Sequence, residues 1–179
     1  NGVSKDGCVR SETSLESMAK LKPAFDKEGV VTAGTSSPLT DGAAAVIVCS
    51  EKYAKNNNLK IMAYIRGMAV SGCSPEIMGI GPVLSSQKAL ERAGIELKDI
   101  DIIEMNEAFA AQSLACVKEL GIDMSKLNIH GGAISMGHPL GASGARITGK
   151  AASLLQETGK KYALSTMCVG GGQGCATVL

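Results

Sequence analysis

The sequence predicts an α/β fold whose mixed sheet is covered by helices on both faces. Apolar runs of strand length alternate along the chain with longer helical segments, an order typical of sheets with helices on each side. With 179 residues, 45% of them hydrophobic, the chain can form one core domain, or one domain and a piece of another. Many of the 22 glycines lie late in the chain, where they indicate tight backbone rather than a flexible linker.

The predicted elements follow one another with short connections. Residues 1–38 are polar and irregular, with one short helix in SLESMAKLKPAF. Strands are predicted at 43–49, 61–70, 100–105, 126–130, 161–168 and 175–179. Helices are predicted at 50–58, 83–93, 108–120 and 141–159. The run AAAVIVC at 43–49 is apolar throughout, so we expect it to be a buried strand.

Composition excludes several classes of function. The 18 basic residues nearly balance the 17 acidic ones, which gives no reason to expect a nucleic-acid surface or an anionic membrane partner. No apolar run approaches the roughly 18 residues that a membrane span requires. The six cysteines form no C-x-x-C pair and no metal-binding spacing with histidine, so we expect free thiols, no metal site and a reducing compartment, the cytoplasm.

The dipeptide Asn106–Glu107 lies between the strand at 100–105 and the helix at 108–120. Ligands bind at this edge of open α/β sheets, and an amide there can donate to, and accept from, a bound water. The alternative is helix capping, because Asn106 is a good N-cap residue and Glu107 suits the positive end of a helix dipole. The residues alone leave both interpretations open.

His138 lies in a glycine-rich turn before the helix at 141–159. A helix N-terminus disfavours the imidazolium, so we expect a neutral ring that can donate one hydrogen bond to an oxyanion or accept a proton. The alternative is a histidine that bonds only to loop backbone. His130, the other histidine, has no such setting and is assigned a structural role.

Cys168 ends the strand at 161–168, and four of the five residues at 170–174 are glycine. Backbone amides there can form an anion-binding nest, which favours the thiolate and can hold a thioester oxyanion. The alternative is a core cysteine, as expected for Cys175. The late glycines fit neither a Walker A loop nor a dinucleotide-binding turn, which makes a nucleotide cradle the weaker interpretation.

Five segments resemble those of one family. NEAFAAQ (106–112), GGAISMGHPLGASGAR (131–146) and CVGGGQG (168–174) resemble the three C-terminal signature blocks of thiolases. SMAKLKPAFDKEGVVTAGTSSPLTDGAAA and PEIMGIGPVLSSQKALERAGI resemble further thiolase segments. Because all five occur in family order over essentially the whole chain, the sequence is similar to the C-terminal half of a thiolase. Ketoacyl synthases share the fold but do not show this set together.

The resemblance implies a role for each site. In thiolases the NEAF asparagine holds a water, which forms an oxyanion hole with the GHP histidine, and Asn106 and His138 match these positions. The same histidine activates the nucleophilic cysteine. The cysteine before the glycine run moves a proton on and off the α-carbon of acetyl-CoA, and Cys168 matches it. The amide of Gly170 matches a donor to a second oxyanion hole.

The resemblance also implies the ligands and the reaction. CoA is the expected substrate carrier, and no metal or redox cofactor is required. The reaction implied is acyl transfer between CoA thioesters through a cysteine thioester, either condensation of two acetyl-CoA or thiolysis of a 3-ketoacyl-CoA. The family's CoA-binding positions fall on Arg10, Ser17, Ala33, Ser37 and Leu39, with Met78 and Phe109 near the acyl group.

The thiolase block that carries the nucleophilic cysteine resembles CGSG, and it does not occur in this sequence. We therefore expect the tail of the CoA-binding loop domain at 1–38 and the C-terminal core domain at 39–179, one half of the five-layer αβαβα thiolase fold. The expected partners are CoA, acyl-CoA and an N-terminal half with the nucleophile, in a homodimer or homotetramer. The isolated chain is expected to be inactive. The alternative is a thiolase-like binding module without turnover.

Overall fold

Four strands form one mixed sheet in the part of the chain that the computed structural model describes, residues 2 and 4–179. They are β1 (Gly67–Gly72), β2 (Ile102–Met105), β3 (Ala163–Val169) and β4 (Gln173–Val178). Their order in the sheet is β1-β4-β3-β2, with β2 parallel to β3 and β4 antiparallel to both of its neighbours. The predicted mixed sheet is confirmed.

Helices lie on both faces of this sheet, as predicted. They are α1 (Leu15–Ala19), α2 (Glu51–Asn56), α3 (Gly81–Ala93), α4 (Ala110–Leu120), α5 (Ala133–Met136) and α6 (Ser143–Thr158). Helix α3 packs on β1 and β4, while α6 packs on β2 and β3. Neighbouring residues of β2 point into different cores: Ile103 packs with residues of α3 and α4, and Ile102 with residues of α6.

Residues 43–49 contradict the prediction of a buried strand. The segment lies outside every helix and strand and is exposed, so that Ile47 keeps 81% of its accessible surface and Val48 72%. An apolar run becomes a buried strand only where it finds a strand to pair with and a layer to cover it. The sheet of this chain offers neither at that place, so the prediction was wrong for this chain taken alone.

Two other predicted strands are shorter than expected. From the run 61–70 only the part after residue 66 pairs, as β1. From 126–130 only Leu127 pairs, through one parallel bridge to Ile103 beside β2. The remaining predicted helices and strands occur in place, with ends shifted by a few residues. Among the described residues, none of the helices has the length and apolar character that crossing a membrane requires.

Two glycines allow α3 to begin in contact with β4. A Cβ on Gly174 would collide with the backbone carbonyl of Gly81, and a Cβ on Gly81 would collide with the carbonyl of Gln173. Both glycines are buried. Because these two positions have no side chain, the backbones of α3 and β4 come into contact, which sets the position of α3 on the sheet.

We predict that Gly174→Ala lowers the free energy of unfolding by about 1 to 3 kcal/mol, because the added methyl group forces two backbones apart. Urea denaturation measures the change. The control is Gly141→Ala, since a Cβ at position 141 would meet no atom within 4 Å. Equal stability of the two variants would contradict this account of the helix–strand contact.

Candidate active site

The parallel pair β2–β3 brings two of the predicted site residues to one edge of the sheet. Met105 lies opposite Thr166, and the pairing continues past the strand because Asn106 N donates to Thr166 O at 3.0 Å. Cys168 follows on β3, close to the end of that strand. Carboxyl ends of parallel strands meet at the same edge, so Asn106 and Cys168 share it.

The side chain of Asn106 meets the ring of His138 at this edge. Asn106 is fully buried, and its Nδ2 lies 3.3 Å from His138 Nε2. The alternative of helix capping is wrong: α4 begins at Ala110, its N-cap is Phe109, and no side chain caps it. The sequence could not decide this point, because the helix begins later than its apolar pattern indicates.

The other ring nitrogen of His138 is held by Ser143, which the sequence analysis did not single out. Ser143 Oγ lies 2.6 Å from Nδ1 and 3.1 Å from the carbonyl oxygen of Pro139, and the residue is completely buried. The hydroxyl has one proton. When that proton goes to Pro139 O, Nδ1–H donates to Ser143, and Nε2 carries the lone pair that accepts from Asn106.

The surroundings of His138 favour a neutral imidazole. Burial lowers the pKa of the ring, and the positive charge of Arg146 lowers it further. The backbone N–H of His138 donates to Thr40 Oγ1 at 3.1 Å, which fixes the loop from the N-terminal side of the chain. Both effects agree with the prediction of a neutral ring, and burial is the larger of the two. The alternative of a ring bonded only to loop backbone is wrong, since its partners are Asn106 and Ser143.

Cys168 contradicts the expectation that the glycine run favours its thiolate. Burial raises the pKa of the thiol to about 11, and the neighbouring Cys116 and Cys73 add to the rise more than a backbone hydrogen bond offsets it. Only 6% of its surface is exposed. Burial removes more solvation from the thiolate than the backbone hydrogen bond replaces, so the thiol form is favoured near neutral pH.

The glycine run forms the tight turn between β3 and β4. Gly171 and Gly172 have positive φ of 84° and 92°, and Gly170 is exposed just after β3. Cys73 N donates to Gly172 O at 2.8 Å, so the segment that carries Met78 packs against this turn. Met78 is half-buried there.

The predicted CoA positions fall into separate groups. Arg10 and Ser17 line a surface cavity of about 310 Å³ together with Lys5. Ser37 donates from N and Oγ to Ala108 O, at 3.0 and 3.3 Å, which attaches the N-terminal segment to the site.

Phe109 follows Ala108, and its ring packs edge to face against the ring of Phe25, with the ring centroids 6.1 Å apart. Ala33 is exposed, and Leu39 is completely so.

A buried acid lies behind Asn106. Glu104 is 2% exposed on the face of β2 that α6 covers, and burial raises its pKa to about 7, against the opposing charges of Arg146 and Lys150. Its Oε1 and Asn106 Oδ1 are buried acceptors without a donor among the described residues. Nothing in the sequence pointed to this carboxyl group, because IDIIEM has the pattern of a plain strand.

No group of three or more His, Cys, Asp or Glu side chains could hold a metal ion in residues 2 and 4–179. The chemistry that the arrangement offers is proton transfer and hydrogen bonding: an imidazole and an amide are in contact, and a protonated thiol lies at the same sheet edge.

Comparison with known proteins gives two family matches and many relatives. Residues 59–179 match the sequence model of the thiolase C-terminal domain, and residues 1–52 match that of the thiolase N-terminal domain. The sequence is 54% identical over 177 residues to a 3-ketoacyl-CoA thiolase of Vibrio parahaemolyticus, covering 97% of this chain and 45% of that protein. One match ends at residue 52 and the other begins at residue 59, and the predicted division after residue 38 stays a prediction.

Solved structures agree in fold. Human mitochondrial 3-ketoacyl-CoA thiolase, also solved in complex with CoA, superimposes with a TM-score of 0.94 at 51% identity. An acetyl-CoA acetyltransferase of Bacillus anthracis superimposes with the same TM-score at 45% identity. Each comparison covers 97% of this chain and 44% of the other. The chain thus spans a little under half the length of the proteins it matches.

We predict that the ring of His138 titrates with a midpoint below 6.5, since burial and Arg146 both disfavour its charged form. Proton NMR of the imidazole C–H resonances measures this in the folded chain, with His130→Asn to assign the signals. Arg146→Gln should raise the midpoint, because it removes a positive charge. A midpoint above 6.5 would contradict the account.

Proposed function

The chain belongs to the thiolase family, and from that premise we propose that it forms the C-terminal half of an acyltransferase that acts on 3-ketoacyl-CoA. The observation that carries the proposal is the contact between Asn106 Nδ2 and His138 Nε2, at the sheet edge that Cys168 shares. Each group can do what the proposed reaction requires of its position.

His138 serves as base and as hydrogen-bond donor. With Nδ1–H donated to Ser143, the Nε2 lone pair can take the proton of a nucleophilic thiol once it gives up its hydrogen bond from Asn106. Once protonated, the same nitrogen can donate to the oxyanion that forms when the thiolate adds to a carbonyl. Asn106 completes this oxyanion hole through a water. Its buried Oδ1, which receives no hydrogen bond from the described residues, supports that assignment.

In the thiolysis direction, Cys168 supplies a proton at carbon. In that direction the nucleophilic thiolate adds to the 3-keto carbon, the bond between carbons 2 and 3 breaks, and its electron pair forms the enolate of acetyl-CoA. The Cys168 thiol then gives its proton to carbon 2, leaving a thiolate, and CoA takes the acyl group from the nucleophile. A thiol with a pKa of about 11 is protonated and ready for this step. The names of the relatives point the same way.

CoA binds along the N-terminal segment. Arg10 and Lys5 outweigh the negative charge of Glu12 in the cavity that Ser17 also lines, and the net positive charge suits the phosphate groups of CoA. Ser37 donates to Ala108 O and Ser36 pairs with Phe109, which attaches the segment to the residues that follow β2, so that a pantetheine chain can run from the cavity to the sheet edge. The human relative solved with CoA supports this ligand.

The nucleophile comes from an N-terminal half. The exposed apolar segment 43–49 falls inside the match to the thiolase N-terminal domain, and we assign it to the sheet of that half. There the segment pairs with strands of the N-terminal half, and that half supplies the remaining residues that line the site. The assembly pairs further into a homodimer or homotetramer.

We predict that Cys168→Ser lowers condensation of acetyl-CoA by about 10² to 10⁴-fold, because a serine hydroxyl loses its proton far less readily than a thiol and so cannot exchange a proton with carbon. Formation of the acyl-enzyme should survive, since another cysteine performs it. The assay uses the complete enzyme, meaning this chain joined to the N-terminal half of a relative. If condensation stays near the level of the unsubstituted enzyme, Cys168 has no part in proton transfer and is a core residue.

We predict that Asn106→Ala lowers turnover by at least about a hundredfold, the usual effect of losing one oxyanion donor. His138→Ala should lower it further, because His138 has two roles. Initial rates of thiolysis by the complete enzyme, divided by the folded fraction from circular dichroism, measure both effects. A variant that unfolds more readily but turns over normally when folded would oppose the proposed function.

A further inference from the structure

The carboxylate of Glu107 ties together two segments that are far apart in sequence. Oε1 accepts from Asn128 Nδ2 at 2.7 Å, and Oε2 accepts from the backbone N–H of Ile134 at 3.1 Å. The partners are both donors, so an ionised carboxylate, which only accepts, matches them. Glu107 lies before α4 and does not cap it, because the N-cap of that helix is Phe109.

Asn128 anchors this contact to the end of β2. Its Oδ1 accepts from Met105 N, and its Nδ2 donates to Met105 O, both at 2.9 Å. The second Nδ2 proton goes to Glu107, so every polar atom of the amide has a partner. Asn128 is buried and has a positive φ of 45°, an uncommon conformation that is costly without a compensating interaction.

The other end of the connection reaches His138. Ile134 lies in α5, which spans Ala133–Met136 and ends at Gly137, immediately before His138. A Cβ on Gly132 would collide with the Glu107 carboxylate, so glycine at this position lets the carboxylate approach the start of the short helix. Glu107 therefore fixes the position of the short helix and turn that precede His138.

Asn106 and Glu107 are adjacent, and both act on His138. The amide of the first contacts the ring, and the carboxylate of the second holds the segment that carries the ring. We propose that Glu107 and Asn128 are positioning residues that set the distance between Asn106 and His138, and with it the shape of the oxyanion hole. The proposal rests on the proposed function.

The test uses the complete enzyme and three variants. Glu107→Gln leaves one acceptor for two donors. Asn128→Asp sets two carboxylates against each other and also removes the donor to Met105 O, a loss that the double variant shares. Each should lower kcat for thiolysis by about 10 to 100-fold, because small displacements of catalytic groups cost that much. KM for the acyl-CoA should stay within about threefold, since neither side chain lines the CoA cavity.

The double variant Glu107→Gln with Asn128→Asp distinguishes positioning from general packing. The amide introduced at position 107 can then donate to the carboxylate introduced at position 128, while the amide oxygen accepts from Ile134 N–H. We expect kcat at least about tenfold above that of Asn128→Asp alone, which is a coupling that only interacting residues show. Glu91→Gln, at an exposed position on α3, is the control and should keep full activity.

The outcomes separate the two proposals. If the unsubstituted complete enzyme shows no thiolysis, the proposed function fails. If it turns over, and Glu107→Gln and Asn128→Asp keep full kcat when folded, the positioning role is overturned, whatever happens to stability. If both variants lose kcat but the double variant recovers nothing, Glu107 and Asn128 do not act as a pair and the inference is again wrong.

Discussion

The parallel pairing of β2 with β3 determines where the side chains of the site stand. It places Met105 beside Thr166, and the backbone bond from Asn106 extends the pairing by one residue, so Asn106 and Cys168 share one sheet edge. The imidazole reaches that edge from a separate loop, which bonds to the residues just after β2. A shift in the register of this one strand pair would move Asn106 and Glu107 together, and His138 would lose both of its connections to the sheet.

Burial gives these groups their chemical character. It lowers the pKa of His138 and raises that of Cys168, and both shifts favour the neutral form near pH 7. Neutral groups can stay buried without ionic partners, because burial penalises mainly the charged form. The same burial raises the pKa of Glu104 behind Asn106, which makes that strand face a second place where charge is disfavoured.

Much of the fold was predictable because periodicity reports local burial. The helices, and the strands that begin at residues 102, 163 and 173, each show the hydrophobic periodicity of their type. The signature blocks identify the family. Long-range partners were not predictable. Ser143 at His138 and Asn128 at Glu107 depend on how loops fold back. The run 43–49 misled because its apolar pattern does not report whether a neighbouring strand is available, and among the described residues the run pairs with none. The predicted thiolate at Cys168 was wrong because a nearby glycine turn says nothing about how deeply the sulfur is buried.

The central claim is that this chain supplies the proton-transfer and oxyanion groups of a thiolase site, while a cysteine elsewhere carries the acyl group. The most direct measurement is mass-spectrometric mapping of the acetyl group after acetoacetyl-CoA is added to this chain alone and to the complete enzyme. The account predicts no specific adduct on the chain alone, and one acetylated cysteine in the N-terminal half of the complete enzyme. Turnover by the chain alone with a stable acetyl group on Cys168 would contradict it, because Cys168 would then be the nucleophile.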